Sequence, residues 1–103
     1  MNAIENDVRA LVDKELAAAN ERFPKFHSQH EGYAVILEEF EEMKEQAEAA
    51  ERFLTYMWDN VKHDSPAKSQ VENVMLFSEN AACEAIQVAA MCQKFLEMHE
   101  PAK

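Results

Sequence analysis

Glycine, proline and cysteine are scarce in this chain: its 103 residues hold one Gly, three Pro and two Cys. A lone glycine excludes a glycine-rich loop that wraps phosphates with backbone N–H groups. Few turn formers against abundant Ala, Glu, Met and Leu exclude a many-stranded sheet and favour long helices, so the expected class is all-α. Cys83 and Cys92 are nine positions apart. On a shared helix they point in opposite directions, about 13 Å apart along the axis, and do not bridge each other. Both are expected as small core residues. The sequence has no signal-peptide pattern and no apolar run of about 18 residues, so a cytoplasmic protein without a membrane partner is expected.

Positive charge is scarce too. With 20 acidic and 10 basic residues the formal net charge is −10, which argues against nucleic acid and anionic membrane as partners. A phosphorylated ligand would need cations to approach. Most of the carboxylates are expected on solvated helix faces. The length suits a single domain, residues 1–103, whose own core is modest.

Helical periodicity is abundant. Ile4, Val8, Leu11, Val12, Leu16 and Ala19 recur at three- and four-residue steps, predicting a first amphipathic helix from about residue 3 to 21. Phe23-Pro24 ends it and opens a connector through His30. Ser28 and Glu31 form the S-x-x-E pattern of a capping box, placing the next helix start near residue 29. Tyr33, Ile36 or Leu37, Phe40, Met43, Ala47, Ala50, Leu54, Met57 or Trp58 and Val61 then hold one apolar stripe, read as this helix's core face. His63-Asp64-Ser65-Pro66 breaks the pattern, with Asp64 or Ser65 expected to cap a third helix. That helix runs to about residue 98, and its apolar arc is wider than one antiparallel neighbour covers. The excess predicts three long helices in an antiparallel bundle completed by a second chain.

The densest chemistry lies at Glu38, Glu39, Glu41 and Glu42. On a helix, Glu39 and Glu42 at i and i+3 are separated by only about 60° around the axis, near enough to grip one hard divalent cation. Glu84 and Gln87 repeat that spacing on the third helix, beside Ala81, Ala85 and Ala89, which let another helix come close. Carboxylates of Glu39, Glu42 and Glu84 converging within about 5 Å would suit a cation; splayed ones would suit a protein-interaction module. Taken singly, each glutamate is an ordinary surface residue. His27 and His30 lack the further ligands of a zinc set. No histidine has Glu three positions before it, which disfavours a di-iron bundle. Ser28, Ser65, Ser69, Ser78 and Cys83 have no nucleophile motif around them.

The run His30-Glu31-Gly32-Tyr33-Ala34-Val35-Ile36-Leu37-Glu38-Glu39, then Glu42, and later Glu84-Ala85-Ile86-Gln87-Val88-Ala89-Ala90-Met91 resembles the MazG-like branch of the all-α nucleoside triphosphate pyrophosphohydrolases. With Phe23-Pro24-x-Phe26, the resemblance covers residues 20–43 and 80–96, and residues 44–79 read as an insertion that lengthens two helices. It implies a helical homo-oligomer, dimer or tetramer, that hydrolyses a nucleoside triphosphate to monophosphate and pyrophosphate with Mg²⁺, or Mn²⁺ in its place. It further implies Glu39, Glu42, Glu84 and Gln87 as metal ligands and Glu38 as the residue that positions water. His30, Lys25, Lys44 and Lys94 are the implied substrate contacts. Gln87 stands where the family pattern has Asp; its amide offers a carbonyl oxygen to a cation but is no base. The alternatives are a catalytically degenerate relative and an acidic helical interaction module.

Overall fold

Ser28 starts the central helix as its capping pattern predicts. In the computed structural model, which describes residues 3–23 and 25–98, the chain forms α1 (Glu5–Arg22), α2 (Gln29–Lys62) and α3 (Lys68–Met98), with no strand among the described residues. The Ser28 hydroxyl accepts from the Glu31 N–H at 3.1 Å. The reciprocal arm of the box reaches one residue further back than expected: Glu31 accepts from the His27 N–H at 2.8 Å.

Asp64 closes α2 instead of opening α3. It sits in the left-handed region at φ 55°, and the Asp64 and Ser65 N–H groups donate back to the Val61 and Asn60 carbonyls. This is the Schellman arrangement, with Asp in the place usually held by Gly. α3 therefore starts later than expected, with its first helical bond running from the Val71 N–H to the Ala67 carbonyl.

α2 and α3 lie side by side, and their partners run in opposite numerical order. Gly32 meets Phe95, Gln46 accepts from Asn80 at 3.2 Å, and the rings of Phe53 and Phe77 stack at 5.7 Å. α1 lies against α3 and not against α2. Gly32 allows the closest approach: a Cβ there would stand 2.5 Å from the Phe95 ring and 3.1 Å from that of Phe26. Gly32→Ala should therefore destabilise despite Ala's helix preference, because overpacking at about 1–3 kcal/mol outweighs a propensity gain of about 1 kcal/mol. A fall in melting temperature checks this; a rise would contradict it.

The apolar stripe assigned to the core of α2 is only partly covered by α3. Tyr33 is 64% exposed, Leu54 56% and Trp58 58%, with Phe40 and Val61 also exposed. Helical geometry explains the difference, since Gly32, Glu39, Gln46 and Phe53 share one side of α2 and the stripe lies roughly a third of a turn away. On α3, Val71, Met75, Ser78, Ala82, Ala85, Ala89, Cys92 and Leu96 are all exposed and alternate four- and three-residue steps. The two stripes adjoin, because Tyr33 and Ile36 line one groove with Cys92 and Leu96. Cys83 and Cys92 are free and exposed rather than buried. Buried apolar residues are few: Leu16, Phe26, Ala49 and Ala90.

The single chain consequently exposes more surface than its mass warrants. Its extents are 63 × 30 × 21 Å and its radius of gyration is 17.7 Å, against about 13 Å for a compact domain of this length. It exposes 7775 Å², where a compact monomer of its mass exposes about 5,900 Å².

Candidate functional site

The edge of α2 that meets α3 carries Glu39 and Glu42, and the facing edge of α3 carries Glu84 and Gln87. One carboxylate oxygen from each of Glu39, Glu42 and Glu84 lies within 4.8 Å of the others. The expected convergence is present. The amide end of Gln87 joins them: with its nitrogen turned inward, it donates to Glu39 Oε2 at 2.7 Å and to Glu84 Oε2 at 3.2 Å. Turned the other way, the same amide adds a fourth oxygen to the cluster.

Crowding like charges has an electrostatic cost. Partial burial pushes the Glu39 carboxyl above its ordinary range, and the neighbouring Glu42, Glu84, Glu38 and Glu15 charges push it further. Burial and Glu42 push Glu84 up in the same way. An acid whose pKa is raised by folding loses stability as pH rises from the unfolded value through the folded one. In metal-free protein these two groups thus favour the fold less above the ordinary carboxylate range than below it. A divalent cation held here would need the ionised forms, so for a Mg²⁺ site the expected result is a rise in melting temperature with Mg²⁺ that is larger at pH 8 than at pH 5. A thermal shift independent of pH, or absent, would contradict this.

Glu39 and Gln87 also border a cleft of about 700 Å³ formed by α1, the connector and the facing sides of α2 and α3. Its other walls carry Arg22, Lys25 and His27 among the carboxylates of Glu15, Glu21 and Glu31, together with the rings of Phe23 and Phe26. Basic and acidic groups are therefore interleaved around a space of the size that holds a small-molecule ligand. Phe23 is 71% exposed, leaving a ring face free for a ligand.

The residues anticipated from sequence divide clearly. Glu39, Glu42, Glu84 and Gln87 are together, and Lys25 lies on the cleft. Glu38 is exposed beside Glu39 and outside the converging trio. Lys94 borders the cleft, but it is buried and its ammonium donates to the Phe23 carbonyl. Lys44 pairs with Glu48 at 4.0 Å on another surface, away from the cleft. His30 is likewise outside it, in the groove with Tyr33 and Leu96. Their i+5 and i−9 offsets from Glu39 turn both side chains away from the cleft wall. Arg22 and His27 were missed; their sequence signal was proximity to the Phe23 and Phe26 connector, which carries both toward the cleft. His27 pairs with Glu31, Nδ1 to Oε2 at 3.3 Å, and not with His30. No helix among the described residues is long and apolar enough to cross a membrane. No protein-family model, no curated protein and no solved structure matches this chain.

Proposed function

We propose that the chain is a cytoplasmic, Mg²⁺-dependent nucleoside triphosphate pyrophosphohydrolase of MazG-like type, a single domain that works as a homo-oligomer. The observation that carries this reading is the convergence of Glu39, Glu42 and Glu84 beside a cleft that Arg22 and Lys25 also line. The three oxygens lie within 4.8 Å of one another, so the side chains would have to draw together to hold one Mg²⁺, whose bonds to oxygen are about 2.1 Å long. The donor set is all hard oxygen, as that ion prefers.

When bound, the cation supplies charge neutralisation along the triphosphate and assists in-line displacement. Glu39, Glu42 and Glu84 would hold it, with Gln87 turning its carbonyl oxygen inward. Arg22 and Lys25 take phosphate charge, with the His27 ring a further hydrogen-bonding group beside them. Glu38, exposed next to Glu39, positions the attacking water and accepts its proton. The oxygen of that water bonds to the α-phosphorus while the bond from that phosphorus to the bridging oxygen breaks, and the electron pair leaves with pyrophosphate. Bringing charged reactants to fixed positions is the main catalytic contribution of such a site.

The exposed stripes of α2 and α3 support the oligomer. The surface excess of about 1,900 Å² per chain would give a two-copy interface of about 3,700 Å², within the range of obligate homodimers. A second copy set on this face completes the antiparallel α2–α3 pair into a bundle. The degenerate alternative has one observation in its favour: the Gln87 amide satisfies Glu39 and Glu84 without any ion.

Pyrophosphate release from a panel of canonical and modified nucleoside triphosphates, with Gln87→Asp in parallel, tests the reading. Release by the native chain supports the enzyme. Release only after Gln87→Asp assigns the degenerate site, and none from either contradicts both.

A further inference from the structure

The connector that carries Lys25 and His27 is held by the buried Phe26 ring, by the His27 N–H on Glu31, and by Lys94 on α3. Lys94 is 5% exposed, the most deeply buried charged residue described. Its ammonium donates to the carbonyl of Phe23, the residue that ends α1, and lies 4.9 Å from the centre of the Phe26 ring. Burying an ammonium is costly unless hydrogen bonds replace its water. A cation at a helix C-terminus also meets the negative end of the helix dipole. The two contacts bracket Lys25, with Arg22 just before them and His27 just after.

We propose that Lys94 is a positioning residue: its ammonium clamps the connector between α1 and α2 onto α3, holding Arg22, Lys25 and His27 on the cleft that Glu39 also borders. This rests on the pyrophosphohydrolase reading only for its catalytic consequence, since the clamp itself is a contact within the chain. The ammonium is spent on a carbonyl and a ring, so its effect on substrate passes through Arg22, Lys25 and His27. Contacts from these side chains hold triphosphate alike in ground and transition states, so loosening them weakens binding and spares the chemical step.

The test compares the native chain with Lys94→Met, which keeps the apolar stem, and Lys94→Arg, which keeps the cation. Backbone hydrogen exchange is read over residues 25–31, with the Phe53 and Phe77 region as reference. Lys94→Met should speed exchange in the connector about tenfold, the effect of losing one charged hydrogen bond, and leave the reference unchanged. Lys94→Arg should restore most of the protection. For nucleotide hydrolysis, Lys94→Met should raise KM about tenfold with kcat within about twofold. Unchanged connector exchange in Lys94→Met would overturn the clamp, even if KM rose, because it would make Lys94 a direct ligand contact. Equal acceleration along the whole chain would overturn it in favour of general support. If no variant hydrolyses any nucleotide, the proposed function fails, while the exchange data still decide the clamp.

Discussion

Glu39→Gln is expected to abolish pyrophosphate release while leaving the fold intact or more stable. Glu39 is the carboxylate common to the cluster and the cleft. Removing its charge takes away one hard anionic ligand at the point where cation and phosphates would meet. Loss of a residue that only supports a metal ligand typically costs 10–100-fold, so loss of a ligand should cost about a hundredfold or more. The stability arm separates this from damage. Burial and four neighbouring carboxylates disfavour the ionised form of Glu39, so a neutral amide of the same shape relieves repulsion in metal-free protein. Melting without Mg²⁺ should occur at the same or a higher temperature than in the native chain, and the Mg²⁺-induced shift should disappear. A variant that is inactive and also melts lower would mean that Glu39 mainly supports the fold.

Charge placed on the exposed stripe of α2 should have the largest effect on assembly. Leu54 and Trp58 are both more than half exposed in the single chain, on the stripe roughly a third of a turn from the edge of α2 that meets α3. In a twofold assembly each substitution acts twice. Fully burying such a side chain contributes about 1.5–3 kcal/mol, and a little over half of each remains to be buried, so Leu54→Glu with Trp58→Glu should remove at least about 3 kcal/mol from association. By affinity arithmetic that weakens the dimer more than a hundredfold. Light scattering coupled to size exclusion should find a two-copy native particle and a single-chain or unfolded variant. A native monomer, or a variant of unchanged size, would contradict the proposal that a second copy covers this face.

The helices were readable in the sequence because local rules set them. The Ser28 cap, the polar break after Val61 and the three- and four-residue apolar steps all act over a few residues, and they place the helix limits within a few positions. The Glu-x-x-Glu spacing likewise fixed Glu39 and Glu42 on one edge. The choice of edge was not readable. Periodicity marks α2's most apolar side, but it does not say whether that side meets α3 or another chain. The close approach at Gly32 and the Phe53 and Phe77 stack turn a mixed polar edge inward and leave the apolar one outward. The same ambiguity put Cys83 and Cys92 in an expected core. Lys94 was read as a substrate contact because sequence cannot show that a carbonyl distant along the chain, at Phe23, accepts from it. Asp64 was read as a cap because Asp suits both a helix start and the left-handed turn it occupies.

The most direct test of the central claim is hydrolysis in heavy-oxygen water, with the products separated and weighed by mass spectrometry. Attack at the α-phosphorus predicts heavy oxygen in the nucleoside monophosphate, an equimolar amount of unlabelled pyrophosphate, and no reaction when Mg²⁺ is chelated. Nucleoside diphosphate with labelled phosphate, or no product with any nucleotide in the presence of Mg²⁺, would contradict it.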